Sequence, residues 1–140
     1  MQVSEHPPYY TPMMKDLNIT TPSCIIPYLT EFIKDLTQET VIIMTLNGNY
    51  NIINTRIISL GIVNESPVHP REIFRSAILD NAVAIIMAHN HPSGNKTPSE
   101  QDLNITTKLK NAGELLGIKL LDHIILTNND WTSLKEEGYF

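Results

Sequence analysis

Short apolar runs alternate along the chain with segments in which apolar residues recur every three or four positions. The almost entirely apolar runs at residues 41–46 and 82–88 predict strands that are buried on both faces. Asn47-Gly48-Asn49 has the composition of a hairpin turn after the first run. Five strands are predicted in all, at residues 41–46, 50–63, 82–88, 118–127 and 131–133.

Three amphipathic helices are predicted between these strands. They begin at Ser23 as N-cap, at Pro70, and at Ser99 as N-cap, and Gly117 suits the C-cap of the last one. Pro27 fits only the first turn of the first helix. The three apolar faces are Ile26, Leu29, Ile33 and Leu36, then Ile73, Phe74, Ala77 and Ile78, and finally Ile105, Leu109, Ala112 and Leu116. The order α-β-β-α-β-α-β-β predicts an α/β fold in which helices cover a mixed sheet.

The first 22 residues show no periodicity and contain four prolines. We interpret residues 1–22 as an extended or flexible arm and residues 23–140 as the domain. Alternatively, the arm packs on a neighbouring subunit through Tyr9 and Tyr10, which would make the protein a homodimer.

Composition narrows the classes of function. A chain of 140 residues with 41% apolar residues fits one globular domain. The net charge of −5 weighs against DNA binding, which depends on clustered Lys and Arg. The single cysteine, Cys24, excludes a disulfide framework and a Cys-rich zinc site. Because the sequence has neither a signal peptide nor a long apolar stretch, we expect a cytoplasmic protein without a membrane segment.

The most informative motif is His89-Asn90-His91, followed after seven residues by Ser99-Glu100-Gln101-Asp102. At the end of a strand, His89 and His91 project to the same side and can share one ion. Asp102, at the start of the next helix, can supply a third ligand. Two nitrogen ligands, one oxygen ligand and an open fourth position are typical of a catalytic zinc site.

The same residues have structural interpretations. Ser-x-x-Asp before an amphipathic run is also a capping box. However, Asp102 shares the inward face of Ile105 and Leu109, where an unpaired carboxylate is costly, so a shared cation is a natural partner. Residues 92–98 predict a stiff loop that preorganises the ligands, since Pro92 and Pro98 restrict the backbone and Gly94 permits a turn.

Hydrolysis by such a centre needs a base and an oxyanion donor. Glu39 has the best location for the base, directly before a buried strand, although spacing alone does not choose among the glutamates. Ser99 is a candidate oxyanion donor, and capping the helix is its alternative role. The candidate bases are Glu31, Glu39, Glu65, Glu72 and Glu100.

Other polar and aromatic residues receive structural roles or remain open. His123 either lines the site or is a hydrogen-bonded core residue, provided that Leu121, His123 and Ile125 share one face, and Asp122 is a candidate tether. His69 and Arg71 open a helix and are candidates for the substrate groove. Asn90 points away from the histidines and is not counted as a ligand. Packing is the simplest role for Trp131, Tyr139 and Phe140.

Taken together, Glu39, His89-x-His91 and Ser99-x-x-Asp102 resemble the JAMM signature of JAB/MPN metalloprotease domains. Residues 39–138 more specifically resemble the RadC family of bacterial JAB domains. The segments that carry this resemblance are Val68-His69-Pro70-Arg71-Glu72-Ile73-Phe74, His89-Asn90-His91-Pro92-Ser93-Gly94, Thr97-Pro98-Ser99 and Leu121-Asp122-His123-Ile124-Ile125.

The resemblance implies one Zn²⁺ per chain bound by His89, His91 and Asp102, with Glu39 as general base and Ser99 polarising the scissile carbonyl. It implies a mixed α/β sandwich distantly shared with cytidine deaminases, whose own cysteine ligands this chain lacks. The expected activity is cleavage of an amide bond in a protein or peptide. A zinc-containing accessory or DNA-repair-associated binding domain is the alternative. Longer RadC proteins carry an N-terminal helix-hairpin-helix module, whereas only 38 residues with one predicted helix precede Glu39 here, so we expect a stand-alone JAB domain.

Overall fold

The computed structural model describes residues 19, 21–33, 37–60 and 69–140, and the side chains of residues 59 and 60 are left aside. A short 3-10 helix, Pro22–Cys24, precedes the regular elements. The helices are α1 (Ile26–Ile33), α2 (Pro70–Leu79) and α3 (Glu100–Leu116). The strands are β1 (Thr40–Leu46), β2 (Ile52–Leu60), β3 (Ala84–Asn90), β4 (Lys119–Leu126) and β5 (Trp131–Ser133).

The five strands form one mixed sheet in the order β2-β1-β3-β4-β5. Only β3 and β4 pair in parallel, and the other three pairs are antiparallel. Parallel neighbours need a crossover connection, and here α3 supplies it. The α/β class, the order of elements and the mixed sheet are as the sequence predicted.

Two apolar clusters cover the two faces of the sheet, which explains why β1 and β3 are buried along their whole length. Alternate strand residues enter opposite clusters, as the two-residue period of a strand requires. Ile42, Met44 and Ile86 pack with α1 on one face. Val41, Ile43, Ile85 and Met87 pack with α2 and α3 on the other.

Several boundaries and faces differ from the prediction. Ser23 lies inside the 3-10 helix and does not cap α1, which begins only at Ile26. Ile78 and Leu116 are 57% and 50% exposed, because each lies in the last turn of its helix, where the chain turns back toward the sheet. Leu36, residues 61–63 and nearly all of the N-terminal arm lie outside the described residues.

Two further differences affect the site. β3 runs to Asn90, two residues beyond the predicted end, and His91 N still donates to Leu126 O of β4 at 2.7 Å. A register shift in the β3–β4 pair makes Leu121 an extra residue, since Ile85 pairs with Leu120 and Ile86 with Asp122. Leu121 therefore packs in the α1 cluster and does not share a face with His123, so the condition under which the roles of His123 were considered is not met by Leu121.

Within the described part of the chain, no helix is both long and apolar enough to cross a membrane.

Candidate metal centre

The predicted ligands meet in a cleft of about 610 Å³ just beyond the carboxyl end of β3. Ligand clefts in α/β sheets commonly lie at this end of the strands. β3 delivers His89, the loop after it delivers His91, and the first turn of α3 delivers Asp102. The cleft is lined by Glu39, His89, His91, Pro92, Ser93, Asn95, Thr97, Pro98, Ser99, Gln101 and Asp102.

The Asp102 carboxylate contacts both histidines. Its Oδ1 is 3.2 Å from His89 Nδ1, and its Oδ2 is 3.1 Å from His91 Nε2. The two imidazole rings are nearly perpendicular, with centroids 4.9 Å apart. The structure therefore brings together the three residues that the sequence predicted as metal ligands.

Hydrogen bonds at Nδ1 direct the Nε2 atom of each histidine toward the cleft. His91 Nδ1 donates to Asn95 O at 2.8 Å, since a carbonyl can only accept. In the protonated ring His91 Nε2 donates to Asp102 Oδ2, and in the neutral ring Nε2 carries the lone pair that an ion could use. His89 Nδ1 faces Asp102, and its buried Nε2 has no hydrogen-bond partner among the described residues. An unpaired buried nitrogen beside two carboxylates is a set of donors that could bind a divalent cation such as Zn²⁺.

Glu39 reaches the same cleft from the position just before β1, the strand next to β3. Its Oε2 is 3.6 Å from His89 Nε2. Ligand atoms of Glu39, His89 and His91 lie within 4.8 Å of one another, so these three residues could hold an ion. Geometry thus offers two carboxylates, Glu39 and Asp102, beside the histidine pair.

Asn90 fixes the backbone on both sides of Glu39. Its Oδ1 accepts from Thr40 N at 2.5 Å, and its Nδ2 donates to Gln38 O at 3.1 Å. The side chain is buried, so these bonds lie largely out of water. Sequence analysis excluded Asn90 as a ligand but did not foresee this role, which depends on the pairing of β1 with β3.

The surroundings of Asp102 keep its carboxyl group ionised. Burial disfavours its ionised form, but hydrogen bonds from His89, His91 and Ser99 N outweigh burial and hold the pKa of Asp102 well below its usual range. The hydrogen bond with Asp102 raises the pKa of His91, although burial opposes this. A proton on His91 and a metal ion would therefore compete for the space between His91 and Asp102.

Ser99 performs the capping role that the sequence left open. Its Oγ accepts from Asp102 N at 3.0 Å, and Asp102 Oδ2 accepts from Ser99 N at 2.9 Å, which completes a capping box. The side chain of Ser99 also borders the cleft, and the capping bond uses its oxygen without using its hydrogen.

The loop between His91 and Ser99 is tied to the β4–β5 hairpin. Thr132 Oγ1 donates to Lys96 O at 2.9 Å, and Lys96 Nζ pairs with Asp130 Oδ2 at 2.8 Å. Gly94 has φ +91°, a conformation that other residues rarely adopt. The contacts of Lys96 fix the backbone next to Asn95, whose carbonyl accepts the hydrogen bond that orients the ring of His91.

A third histidine, His123, lies behind the cleft and is fully buried. Thr106 Oγ1 is 2.6 Å from its Nδ1, which confirms a hydrogen-bonded core position. Burial, reinforced by the charge of His89, lowers the pKa of His123 to about 3. The sequence analysis did not predict a role for Thr106. Its position on the inward face of α3, one turn after Asp102, could have indicated one.

Asp122 is a tether, as proposed from the sequence. Its Oδ2 accepts from Ser133 Oγ at 2.6 Å, and its Oδ1 accepts from Lys135 N at 3.2 Å. Burial raises the pKa of Asp122. The carboxyl group therefore secures the segment after β5 and does not take part in the cleft.

The remaining candidates lie elsewhere. Glu31, Glu72 and Glu100 are exposed on helices and are not among the cleft residues, and Glu65 lies outside the described residues. His69 caps α2 by accepting from Arg71 N at 3.1 Å, and neither residue is among those lining the cleft. Trp131 and Phe140 pack against the two core clusters, as expected, whereas Tyr139 is 48% exposed.

Comparison with known proteins identifies the family. The model of the RadC-like JAB domain matches residues 19–139. The chain belongs to this family. Two UPF0758 proteins of Staphylococcus aureus are each 50% identical to this RadC-like JAB domain over 124 residues, and one of Staphylococcus haemolyticus is 47% identical over the same length.

These matches cover 89% of this RadC-like JAB domain but only 54%, 57% and 54% of the respective relatives. The chain thus spans little more than half the length of the relatives. Their names state a family number and no activity.

Proposed function

We propose that this RadC-like JAB domain is a zinc-dependent hydrolase of the JAMM type that cleaves an amide bond in a peptide or an isopeptide linkage. The observation that carries the proposal is the convergence of Glu39, His89, His91 and Asp102 on one cleft, with the buried Nε2 of His89 unpaired. Structural zinc sites use four protein ligands, whereas His89, His91 and Asp102 supply three and, with Glu39 as the base, leave the fourth position for water or substrate.

His89, His91 and Asp102 would hold the ion, one per chain. When bound, zinc would lower the pKa of water and polarise the scissile carbonyl. The hydrogen bond from His91 to Asn95 O keeps the His91 ring in a ligating orientation. Asp102 supplies negative charge at neutral pH, since its pKa is held low.

Glu39 would be the general base. Its carboxylate is 39% exposed and borders the cleft, so it can accept a proton from water there and return it to the leaving nitrogen. Asn90 holds the backbone on either side of Glu39, which limits how far this carboxylate can drift. Ser99 would donate its hydroxyl hydrogen to the oxyanion while its oxygen continues to cap α3.

The test combines metal content with cleavage. Zinc is measured by inductively coupled plasma mass spectrometry on protein purified without chelator, beside the His89→Ala, His91→Ala double variant. A library of peptides and isopeptide-linked peptides is then incubated with wild type and with Glu39→Gln, and products are identified by mass spectrometry.

We expect about one zinc per wild-type chain, none in the double variant, and cleavage by wild type alone. Zinc without cleavage of any library member would favour the accessory-domain interpretation. A gel-shift titration with DNA at two salt concentrations would then test the DNA-associated version, which absence of binding at low salt would exclude. Absence of zinc in wild type, even after zinc is added, would contradict the proposal.

A further inference from the structure

His123 combines complete burial with an unused nitrogen. Its Nδ1 bonds with Thr106, whereas its Nε2 has no hydrogen-bond partner among the described residues. Buried polar nitrogens are nearly always paired, so an unpaired one beside a candidate metal centre needs an explanation. Neither the core packing nor the proposed chemistry accounts for it.

Thr106 determines which nitrogen of His123 carries the proton. The Thr106 hydroxyl contacts Asp102 O at 2.7 Å, and a carbonyl can only accept, so the hydroxyl donates there. Its oxygen must then accept from His123 Nδ1–H at 2.6 Å. The Nε2 of His123 is consequently a lone-pair acceptor.

The nearest functional neighbours of His123 are His89 and Asp102. One ligand atom of each of these three residues lies within 4.8 Å of the others. The planes of the His89 and His123 rings differ by only 20°, with centroids 6.4 Å apart. At present His89 Nδ1 is 3.2 Å from Asp102 Oδ1, which is long for a hydrogen bond to a carboxylate, typically about 2.7–2.9 Å.

We propose that His123 is a positioning residue for the metal centre, and that its Nε2 accepts the Nδ1–H of His89 when an ion draws the Asp102 carboxylate toward the cleft. This inference rests on the proposed function. It gives each ligating histidine its own acceptor behind the ring, Asn95 O for His91 and His123 Nε2 for His89. Such acceptors orient metal-bound histidines and raise their basicity.

Three substitutions of His123 separate this role from packing. His123→Gln places an amide oxygen close to the position of Nε2, His123→Asn places its amide close to that of Nδ1, and His123→Phe keeps a ring without nitrogen. Zinc affinity is measured by competition with a chromophoric chelator, and the thermal unfolding of each protein is measured in EDTA.

We expect His123→Phe and His123→Asn to lower zinc affinity by about 10- to 100-fold, the effect of losing such an acceptor. His123→Gln should recover most of this loss. Thr106→Val and Thr106→Ser form a second pair that leaves His123 in place and is expected to fold. Thr106→Val, which cannot fix the Nδ1–H tautomer, should weaken zinc binding more than Thr106→Ser.

Equal zinc affinity in wild type, His123→Phe and Thr106→Val would overturn the inference and leave His123 as a packing residue, with the proposed function intact. The same conclusion would follow if the affinities ranked with stability in EDTA rather than with the acceptor at Nε2. A wild-type chain that binds no zinc would contradict the proposed function itself, and this inference with it.

Discussion

Glu39 immediately precedes β1, which pairs antiparallel with the strand of His89, and Glu39 Oε2 lies 3.6 Å from His89 Nε2. Val41 pairs directly with His89, so Glu39 extends just past the last paired residues and turns into the cleft. Asp102 contacts the other ring nitrogen of His89, Nδ1. The two carboxylates therefore lie at opposite edges of one imidazole ring, and their roles can be separated by experiment.

Asp102→Asn and Glu39→Gln should affect zinc and catalysis differently. We expect Asp102→Asn to lower zinc affinity by more than about 100-fold, beyond the usual effect of residues that do not touch the ion. Glu39→Gln should retain zinc and lose about 10²- to 10⁴-fold in amide hydrolysis, the usual contribution of a general base. Chelator competition and product analysis measure the two effects. The reverse pattern would make Glu39 the ligand and would refute its assignment as base.

Zinc affinity should fall as the solution becomes more acidic. The hydrogen bond with Asp102 raises the pKa of His91 above its usual value of 6.5, so the proton is held more tightly in the folded protein. An ion must displace that proton below the raised pKa, whereas above it His91 no longer opposes binding. Calorimetry in buffers with different ionisation enthalpies measures the proton release. Equal proton release at pH 6 and pH 8 would contradict this prediction.

The His91–Asp102 pair should stabilise the metal-free protein more at low pH than at high pH. Without metal, protonated His91 beside Asp102 stabilises the fold below about pH 6.5, and this contribution is lost as the pH rises through the raised pKa of His91. His91→Gln should therefore destabilise the protein more at pH 5.5 than at pH 8.5. Urea unfolding in EDTA at both pH values measures the difference, and an equal loss at both would count against the His91–Asp102 pair.

Asn90→Ala should make the backbone around Glu39 more mobile without removing a proposed metal ligand. The variant leaves the buried Thr40 N–H without its acceptor, a loss of about 1–3 kcal/mol in the free energy of unfolding. We expect faster hydrogen exchange at the Thr40 amide, lower amide hydrolysis and nearly unchanged zinc affinity. Asn104→Ala, at an exposed position of α3, is the control and should change none of the three. A fall in zinc affinity equal to that of Asp102→Asn would contradict this role.

Substitutions of Ser99 distinguish the helix cap from the oxyanion donor. Ser99→Ala removes the acceptor for Asp102 N and should cost about 0.5–2 kcal/mol of stability. Ser99→Asp keeps a capping oxygen but has no hydroxyl hydrogen, so stability should return while hydrolysis stays low. If Ser99→Asp restored hydrolysis as well, capping alone would explain the residue.

Gly113 is required where α3 passes over the start of β4. A Cβ built there would lie 2.2 Å from Ile118 O and 3.3 Å from Phe74 Cζ. Gly113→Ala should therefore destabilise the fold by about 1–3 kcal/mol, although alanine is the better helix former. Gly48→Ala, where a Cβ meets nothing within 4 Å, should change stability little. Thermal unfolding compares the two variants, and a stabilised Gly113→Ala protein would contradict the close approach.

Local patterns predicted most of the fold and the residues of the cleft. Apolar runs identified β1 and β3, because strands buried on both faces have few polar positions. Spacing within one segment brought His89, His91, Ser99 and Asp102 together, since the end of a strand and the first turn of the next helix are close in any such connection.

What the sequence could not provide depends on pairing between distant segments. The bonds of Asn90 to Gln38 and Thr40 require the register of β1 against β3. The side of the sheet on which Leu121 lies depends on the register shift in the β3–β4 pair, and no residue type in this segment predicts that shift. The group that accepts the hydrogen bond from His91 is the backbone carbonyl of Asn95. Every residue has such a carbonyl, so the identity of residue 95 does not predict this contact.

The crossover from β3 to α3 has a consequence for how such domains can change. All three proposed ligands lie within the fourteen residues from His89 to Asp102, whereas Glu39 lies fifty residues before His89. In the proposed function, ion binding and proton transfer therefore depend on separate stretches of the chain. A single substitution at the entrance to β1 would convert a hydrolase into a domain that only retains its ion, without disturbing the segment that binds it.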